Sequence, residues 1–232
     1  RLRTVGTLAS GLAHELGTPL HCVAGYAQLI EERPDIDAEA RESAGVIRQQ
    51  AARMSAIIRQ LLGFARAQPA PAEGGADPAE VFHSVLGMLK PPLKKAGSSV
   101  EHDLGDLPEV AIDAAGLSQV LTNILINAVH ATGANASKDP IRVTSAVWED
   151  VVMLRVEDSG VGMEQEVLKR VFDPFFTTKD VGEGTGLGLS VAYGIVAEAG
   201  GRIELESEPA AGTRVSLYLP RFPGAPLLEA AV

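Results

Sequence analysis

The 232-residue sequence predicts an α-helical hairpin that pairs with a second copy into a dimeric four-helix bundle, followed by an α+β sandwich whose mixed sheet packs on helices. Three observations predict this. The first third carries apolar residues at helical heptad spacing in two long segments joined by a short turn. A Pro/Gly/Ala-rich stretch, Gln68 to Pro78, then interrupts all periodicity. Beyond it, short alternating strand patterns are interleaved with apolar helix patterns.

Residues 4–32 read as the first helix, with Val5, Leu8, Leu12, Leu16, Leu20, Val23, Ala27 and Ile30 on its apolar stripe. Pro19 lacks a backbone donor and clashes with the preceding turn, so a kink is expected at residues 15–19. Glu31-Glu32-Arg33-Pro34-Asp35 marks the turn. Residues 37–67 form the second helix, with Ala44, Ile47, Ala51, Met54, Ile58 and Leu61 at heptad steps. An isolated hairpin cannot bury both stripes, and a second copy completes a bundle. The domains expected are therefore 1–67, a linker at 68–78, a second domain at 79–221 and a tail at 222–232 that is poorly ordered after Pro220.

Within the second domain, Ala79 to Lys90 reads as a helix that resumes past Pro91-Pro92 to Lys95. Ser99–Leu104 and Val110–Ile112 are candidate strands, and Ala114–Thr132 is a strongly apolar helix. Ile141–Trp148 and Val151–Glu157 form a hairpin turning at Glu149-Asp150. Val167–Phe172 is a short helix and Leu187–Ala199 a buried one, ended by Gly200-Gly201. Strands Arg202–Glu206 and Arg214–Leu219 flank a turn at Glu208–Gly212.

Composition narrows the function. A net charge of −10 excludes a general nucleic-acid binder, which needs a basic face. The single cysteine, Cys22, excludes an internal disulfide and fits a reducing compartment. No stretch approaches the eighteen consecutive apolar residues of a membrane span. The chain starts at Arg1 rather than Met, so it reads as a soluble, cytoplasmic fragment, with any membrane or sensory segment expected outside it.

Three motifs carry chemistry. Asp158-Ser159-Gly160-Val161-Gly162-Met163 follows a strand, so its acid stands at the strand's end, able to accept a hydrogen bond from a base's amino group. Glycines there let the backbone approach without a Cβ in the way. Gly184-Thr185-Gly186-Leu187-Gly188-Leu189 opens an apolar helix, and free N–H groups at a helix start face anions. Between them lies Phe172-Asp173-Pro174-Phe175-Phe176-Thr177-Thr178-Lys179, a short flap. These are neither Rossmann nor P-loop signatures. Upstream, Asn123 and Asn127 are four apart on one face of an apolar helix, with His130 one turn on. Amide oxygens suit a hard cation such as Mg²⁺, although capping or core hydrogen bonding also explains them.

In this order the motifs resemble the nucleotide-binding domain of sensor histidine kinases, within the wider ATPase group that includes gyrase and Hsp90. Ser10-Gly11-Leu12-Ala13-His14-Glu15-Leu16-Gly17-Thr18-Pro19-Leu20 is similar to the phosphoacceptor box of the kinases' dimerisation domain, and the resemblance covers residues 4 to about 220. It implies an ATP- and Mg²⁺-dependent homodimer that phosphorylates His14 and passes the phosphoryl group to a response regulator's receiver domain. Asp158 would then read the adenine amino group, with Gly160 and Gly162 shaping the pocket. Asn123 and Asn127 would lie near the phosphates, Asn127 as metal ligand, with Gly184, Thr185, Gly186, Leu187, Gly188 and Leu189 lining the phosphate side. His130, from its position beside the amide pair, contacts phosphate unless it is a satisfied structural histidine. Lys179 would stabilise charge on the transferring oxygens, unless it is a solvated loop lysine. Glu15 would orient the His14 ring and take its proton, unless it is a solvated helix charge. Thr18, one turn from His14, would position a water for regulator dephosphorylation, unless it bonds its own helix backbone. Two departures stand out: Gly17 replaces a polar or basic residue, and Gln119 stands where some relatives carry an acid.

Overall fold

A computed structural model describes residues 19–20, 22–66, 74–135, 139–179 and 184–223. The chain divides into two compact units, Arg1–Pro69 and Ala70–Val232.

In the first unit, helix α1 (residues 22–31, with 19–20 already helical) turns back into α2 (Ala38–Arg66). The expected kink falls largely on residues outside those described. Polar contacts fix the turn. The Asp37 carboxylate accepts from the Ala40 N–H at 2.7 Å and so caps α2, while Arg41 donates to the backbone oxygens of Glu31 and Arg33 at the end of α1. Arg48 pairs with Glu31 across the hairpin at 2.7 Å. Small residues fill the seam: Ala27, Ala44 and Ala51 are buried with Leu20. Val23, Ile30, Ile47 and Met54 from the same heptad positions stay exposed, Ile47 at 47% and Met54 at 52%. Among the described residues, one hairpin therefore leaves four of these heptad positions uncovered.

The second unit begins earlier than the linker pattern suggests. Ala76 is buried, and its backbone exchanges hydrogen bonds with Val110 at 3.1 and 2.9 Å. Asp77 caps α3 (Pro78–Ala96), accepting from the Ala79 and Glu80 N–H groups. Pro91 and Pro92 do not interrupt α3: Leu89 and Leu93, buried on either side of them, hold the helix on the core while Pro91 faces outward. Gly97, at φ 68°, ends it.

Five strands follow: β1 (Val100–Asp103), β2 (Ile141–Trp148), β3 (Val151–Asp158), β4 (Arg202–Glu208) and β5 (Gly212–Pro220). They form one mixed sheet in the order β1-β2-β3-β5-β4, parallel only between β1 and β2. Helices α4 (Ala114–Asn135) and α6 (Gly188–Glu198) cover one face, with α3 packed on α4. The register explains the core: Val152 faces Leu219, Leu154 faces Leu217 and Val156 faces Val215, all buried beneath Leu121, Ile124 and Leu125 of α4. On the opposite face Arg214 bridges Glu157 and Glu206, and further along the same face Trp148 stacks on Tyr218.

Three sequence expectations are corrected. Val110–Ile112 is not a strand: Val110 makes single bridges to Ala76 and Arg221, too short a ladder to continue. The short helix α5 spans Gln165–Leu168 rather than 167–172, because the Glu164 carbonyl collects the N–H groups of Val167 and Leu168 and the chain turns off before Phe172. Just past Pro220 the chain is held to the unit, the N–H of Phe222 bonding the Glu109 carbonyl at 2.8 Å; the rest of the expected tail lies outside the described residues. Among the described residues no helix is long and apolar enough to cross a membrane.

Leu125 is fully buried where α4 meets the sheet. Leu125→Ala is expected to cost about 2–5 kcal/mol. Urea unfolding followed by the fluorescence of Trp148, the only tryptophan and a member of this unit, measures it directly.

Candidate functional site

The site is built on β3, α4 and the start of α6. Strand β3 carries Asp158 to the sheet's end, opposite Thr213 of β5. Its carboxylate accepts from the Gly160 N–H at 2.9 Å. Burial raises this carboxyl above its usual range, and the backbone N–H groups of Gly160 and Thr213 pull partly against that shift. An acceptor partly withdrawn from water at a strand's end suits a ligand amino group that brings its own hydrogens.

The turn after Asp158 is wedged between two other elements. A Cβ on Gly160 would lie 2.5 Å from the backbone carbonyl carbon of Ala131 on α4. Gly162 sits at φ 66°, and a Cβ there would meet the Glu208 carbonyl oxygen at 1.9 Å. The backbone approach predicted for these glycines is thus first an approach to protein: the turn is locked to the end of α4 and to the β4–β5 turn.

Helix α4 presents its polar stripe to the flap and the glycine loop. Asn123 is 9% exposed; its Nδ2 donates to the Gly188 carbonyl at 2.9 Å, and its Oδ1 accepts from Gln119 Nε2 at 3.2 Å. That amide clips α4 to the first residue of α6. Asn127 is half-buried one turn further on, and the exposed His130 stands a turn beyond it. His130 Nδ1 lies 2.7 Å from Nζ of Lys179, which brings the flap lysine onto α4.

The glycine loop closes against the flap's root. Gly186 takes φ 66°, and a Cβ on it would come within 2.4 Å of the Phe175 carbonyl carbon. Gly184 leaves 2.8 Å between its Cβ position and Thr177 Oγ1. Thr185 Oγ1 accepts from the Leu187 N–H at 3.4 Å, Leu187 is buried, and Leu189 packs against the core. Gly188 alone has ordinary room, with Asn123 3.6 Å from its Cβ position. The three phenylalanines divide: Phe172 packs at 5.2 Å from Tyr193, Phe176 lies under the Arg170 guanidinium at 4.4 Å, and Phe175 is 64% exposed.

The structure thus brings together Asn123, Asn127, His130, Lys179 and the 184–188 loop, with Asp158 tied to the same helix through Gly160. His14, Glu15 and Thr18 lie outside the described residues, as do flap residues 180–183. Two contributors escaped sequence reading. Thr213 supports Asp158 through its backbone, legible only by counting register back from the 209–211 turn. Gln119 holds Asn123, which its i, i+4 spacing on the same face signals.

Comparison with known proteins matches two families. Residues 112–223 match the family described as histidine kinase-, DNA gyrase B- and HSP90-like ATPase, and residues 4–70 match the His Kinase A (phospho-acceptor) domain. The sensor histidine kinase ZraS of Klebsiella oxytoca is 37% identical over 225 residues, covering 95% of this chain and 47% of that protein. The sensor kinase CckA of Brucella abortus is 34% identical, covering 96% of this chain and 25% of its own length. The chain therefore spans half or less of these relatives. Among solved structures, full-length ShkA in complex with AMPPNP superposes with a TM-score of 0.79 at 27% identity, over 97% of this chain and 48% of that one. The catalytic domain of histidine kinase ThkA, nucleotide-free, gives 0.54 at 32% identity over 62% of this chain and 91% of that one.

The raised Asp158 carboxyl yields a prediction with a definite sign. A carboxyl raised in the native state adds stability below its ordinary value of 3.8, and that contribution is lost as pH rises through the native value. Asp158→Asn, which keeps an acceptor for Gly160 and never ionises, is expected to be at least as stable as the wild type at pH 7. Urea midpoints measured from pH 7 down toward 4 should show the gap closing. A neutral-pH loss of stability in the variant would contradict the assignment.

Proposed function

Because this chain belongs to the sensor histidine kinases, we propose that it is the catalytic core of an ATP-dependent protein-histidine kinase that phosphorylates His14 and relays the phosphoryl group to an aspartate of a response regulator's receiver domain. In this reading residues 1–67 form the dimerising and phosphoacceptor domain, 68–78 the linker and 79–221 the ATP-binding domain. The apolar stripe left exposed on the first unit supports a homodimer, in which a second hairpin completes the bundle. A cytoplasmic location follows from the nature of the phosphodonor.

One observation carries the proposal: a half-buried amide, a flap ammonium and a glycine loop opening a helix meet on one side of α4, in a chain whose other unit matches a phosphoacceptor domain. That donor set suits a magnesium nucleotide triphosphate. Asp158 accepts the adenine amino hydrogen, and the N–H groups at the start of α6 face the phosphates. Asn127 would ligate Mg²⁺, which would supply charge neutralisation at the phosphates. Asn123, already committed to Gly188 and Gln119, acts by holding the loop in register with α4. Lys179 offsets charge on the γ-phosphoryl oxygens.

A neutral ring nitrogen of His14 attacks the γ-phosphorus as the bond to the ADP oxygen breaks. Glu15 holds the other ring nitrogen and stabilises the proton there, leaving phosphohistidine and ADP. The regulator's aspartate then displaces His14 at phosphorus. Glu15 and Thr18 also serve the reverse direction of signalling, positioning a water that hydrolyses the phosphoaspartate.

Incubation with γ-labelled ATP and magnesium tests this. Wild type is expected to take up acid-labile, alkali-stable label, His14→Ala none, and Asn127→Ala label at a rate lower by on the order of 10²-fold. Label persisting in His14→Ala overturns the reading. Hydrolysis of ATP without any label would assign the chain to the ATPase branch of its group, and neither hydrolysis nor label would make it a silent scaffold.

A further inference from the structure

The contact between His130 and Lys179 joins residues 49 positions apart at 2.7 Å. A lysine ammonium only donates, so the ring nitrogen facing it must carry a lone pair. His130 is therefore neutral in this contact, with its proton on Nε2. We propose that His130 is a positioning residue for the flap: its Nδ1 holds the Lys179 ammonium over the polar stripe of α4, and it acts on the phosphoryl group through that lysine rather than by touching phosphate itself. This rests on the reading of Lys179 as the residue that faces the γ-phosphate.

Three features make the contact a built one. Both residues approach from anchored backbone. On the helix side, Ala131, next to His130, is the residue against which Gly160 packs without room for a Cβ. The imidazole thus projects from a helix end already fixed to the Asp158 turn. On the flap side, the Lys179 N–H donates to Thr177 Oγ1 at 3.2 Å. Gly184 lies so close that its Cβ position is 2.8 Å from Thr177 Oγ1 and 3.1 Å from Lys179 Cδ. The lysine stem is thereby aimed along the flap's root toward α4.

The consequence is a mechanical link between the two walls of the pocket. Asp158 fixes one wall, Gly184–Gly188 the other, and the imidazole–ammonium hydrogen bond spans them from the helix between. On its Nδ1 side His130 presents no N–H to an anion and turns its lone pair to the cation that faces the phosphates. An ammonium already oriented toward the phosphates loses less freedom when charge develops there, so the benefit appears in turnover more than in nucleotide affinity.

The test is a set of variants in the dimeric chain: His130→Ala, His130→Asn, Lys179→Ala and the double alanine variant. Autophosphorylation with magnesium ATP is measured together with nicking by trypsin after Lys179, read by mass spectrometry. His130→Ala is expected to lower kcat about tenfold with KM changed less than about twofold. His130→Asn, whose amide oxygen stands near the place of Nδ1, should recover most of that loss. The double variant should be no slower than Lys179→Ala within about a factor of two, because His130 acts only through the lysine. Trypsin should cut after Lys179 several-fold faster in His130→Ala than in wild type or His130→Asn.

Multiplicative losses in the double variant, an asparagine variant as slow as the alanine one, or unchanged trypsin cutting overturns the proposal. A wild type that takes up no label sinks the kinase reading, while the trypsin comparison still decides whether the His130–Lys179 contact exists.

Discussion

Helix α4 has to be apolar enough to fill a core and polar along one narrow stripe, and the second unit is arranged around that double demand. Leu117, Leu121, Ile124 and Leu125 are buried against the sheet and neighbouring helices, while Asn123, Asn127 and His130 run up the other side. A buried amide without partners would cost about 1–3 kcal/mol. Asn123 avoids that by bonding Gly188 and Gln119, and in doing so fixes where the glycine loop begins. The same bond that satisfies the core therefore sets the geometry of the site.

Close approach of backbones is the second constraint. Gly160 against Ala131, Gly162 against the Glu208 carbonyl and Gly186 against the Phe175 carbonyl leave no space for side chains. These glycines join turns that are remote in sequence, so each wall of the site is braced by another element rather than by its own strand or helix. The flap stays tied to α4 by a side-chain contact instead, which suits a segment that must admit a nucleotide.

Much of this was legible in the sequence because local periodicity and turn chemistry agree with the final fold. The hairpin of β2 and β3, with its two-residue turn at Glu149-Asp150, the heptad steps of α2 and the strongly apolar run of α4 needed no tertiary information. The shared face of Asn123 and Asn127 followed from spacing alone. What the sequence hid depends on distant partners. Val110 and Ile112 favour extended backbone, yet Val110 finds only single-residue bridges. Pro91-Pro92 predict a break that burial of Leu89 and Leu93 overrides. The bond by which Asn123 clips α4 to the glycine loop depends on Gly188, 65 residues away. No pattern within α4 could reveal that.

The first unit shows the complementary case, where the sequence says more than one chain can satisfy. Among the described residues, Val23, Ile30, Ile47 and Met54 at its heptad positions remain exposed in one hairpin. For the second unit, the central claim is that the stripe on α4, the Asp158 turn and the 184–188 loop form a single nucleotide site. A crystal structure with magnesium and a non-hydrolysable ATP analogue tests it most directly. The account predicts the base amino group on Asp158 and the terminal phosphate between Asn127 and Lys179. An analogue bound elsewhere, or bound here with its phosphates pointing away from α4, would contradict it.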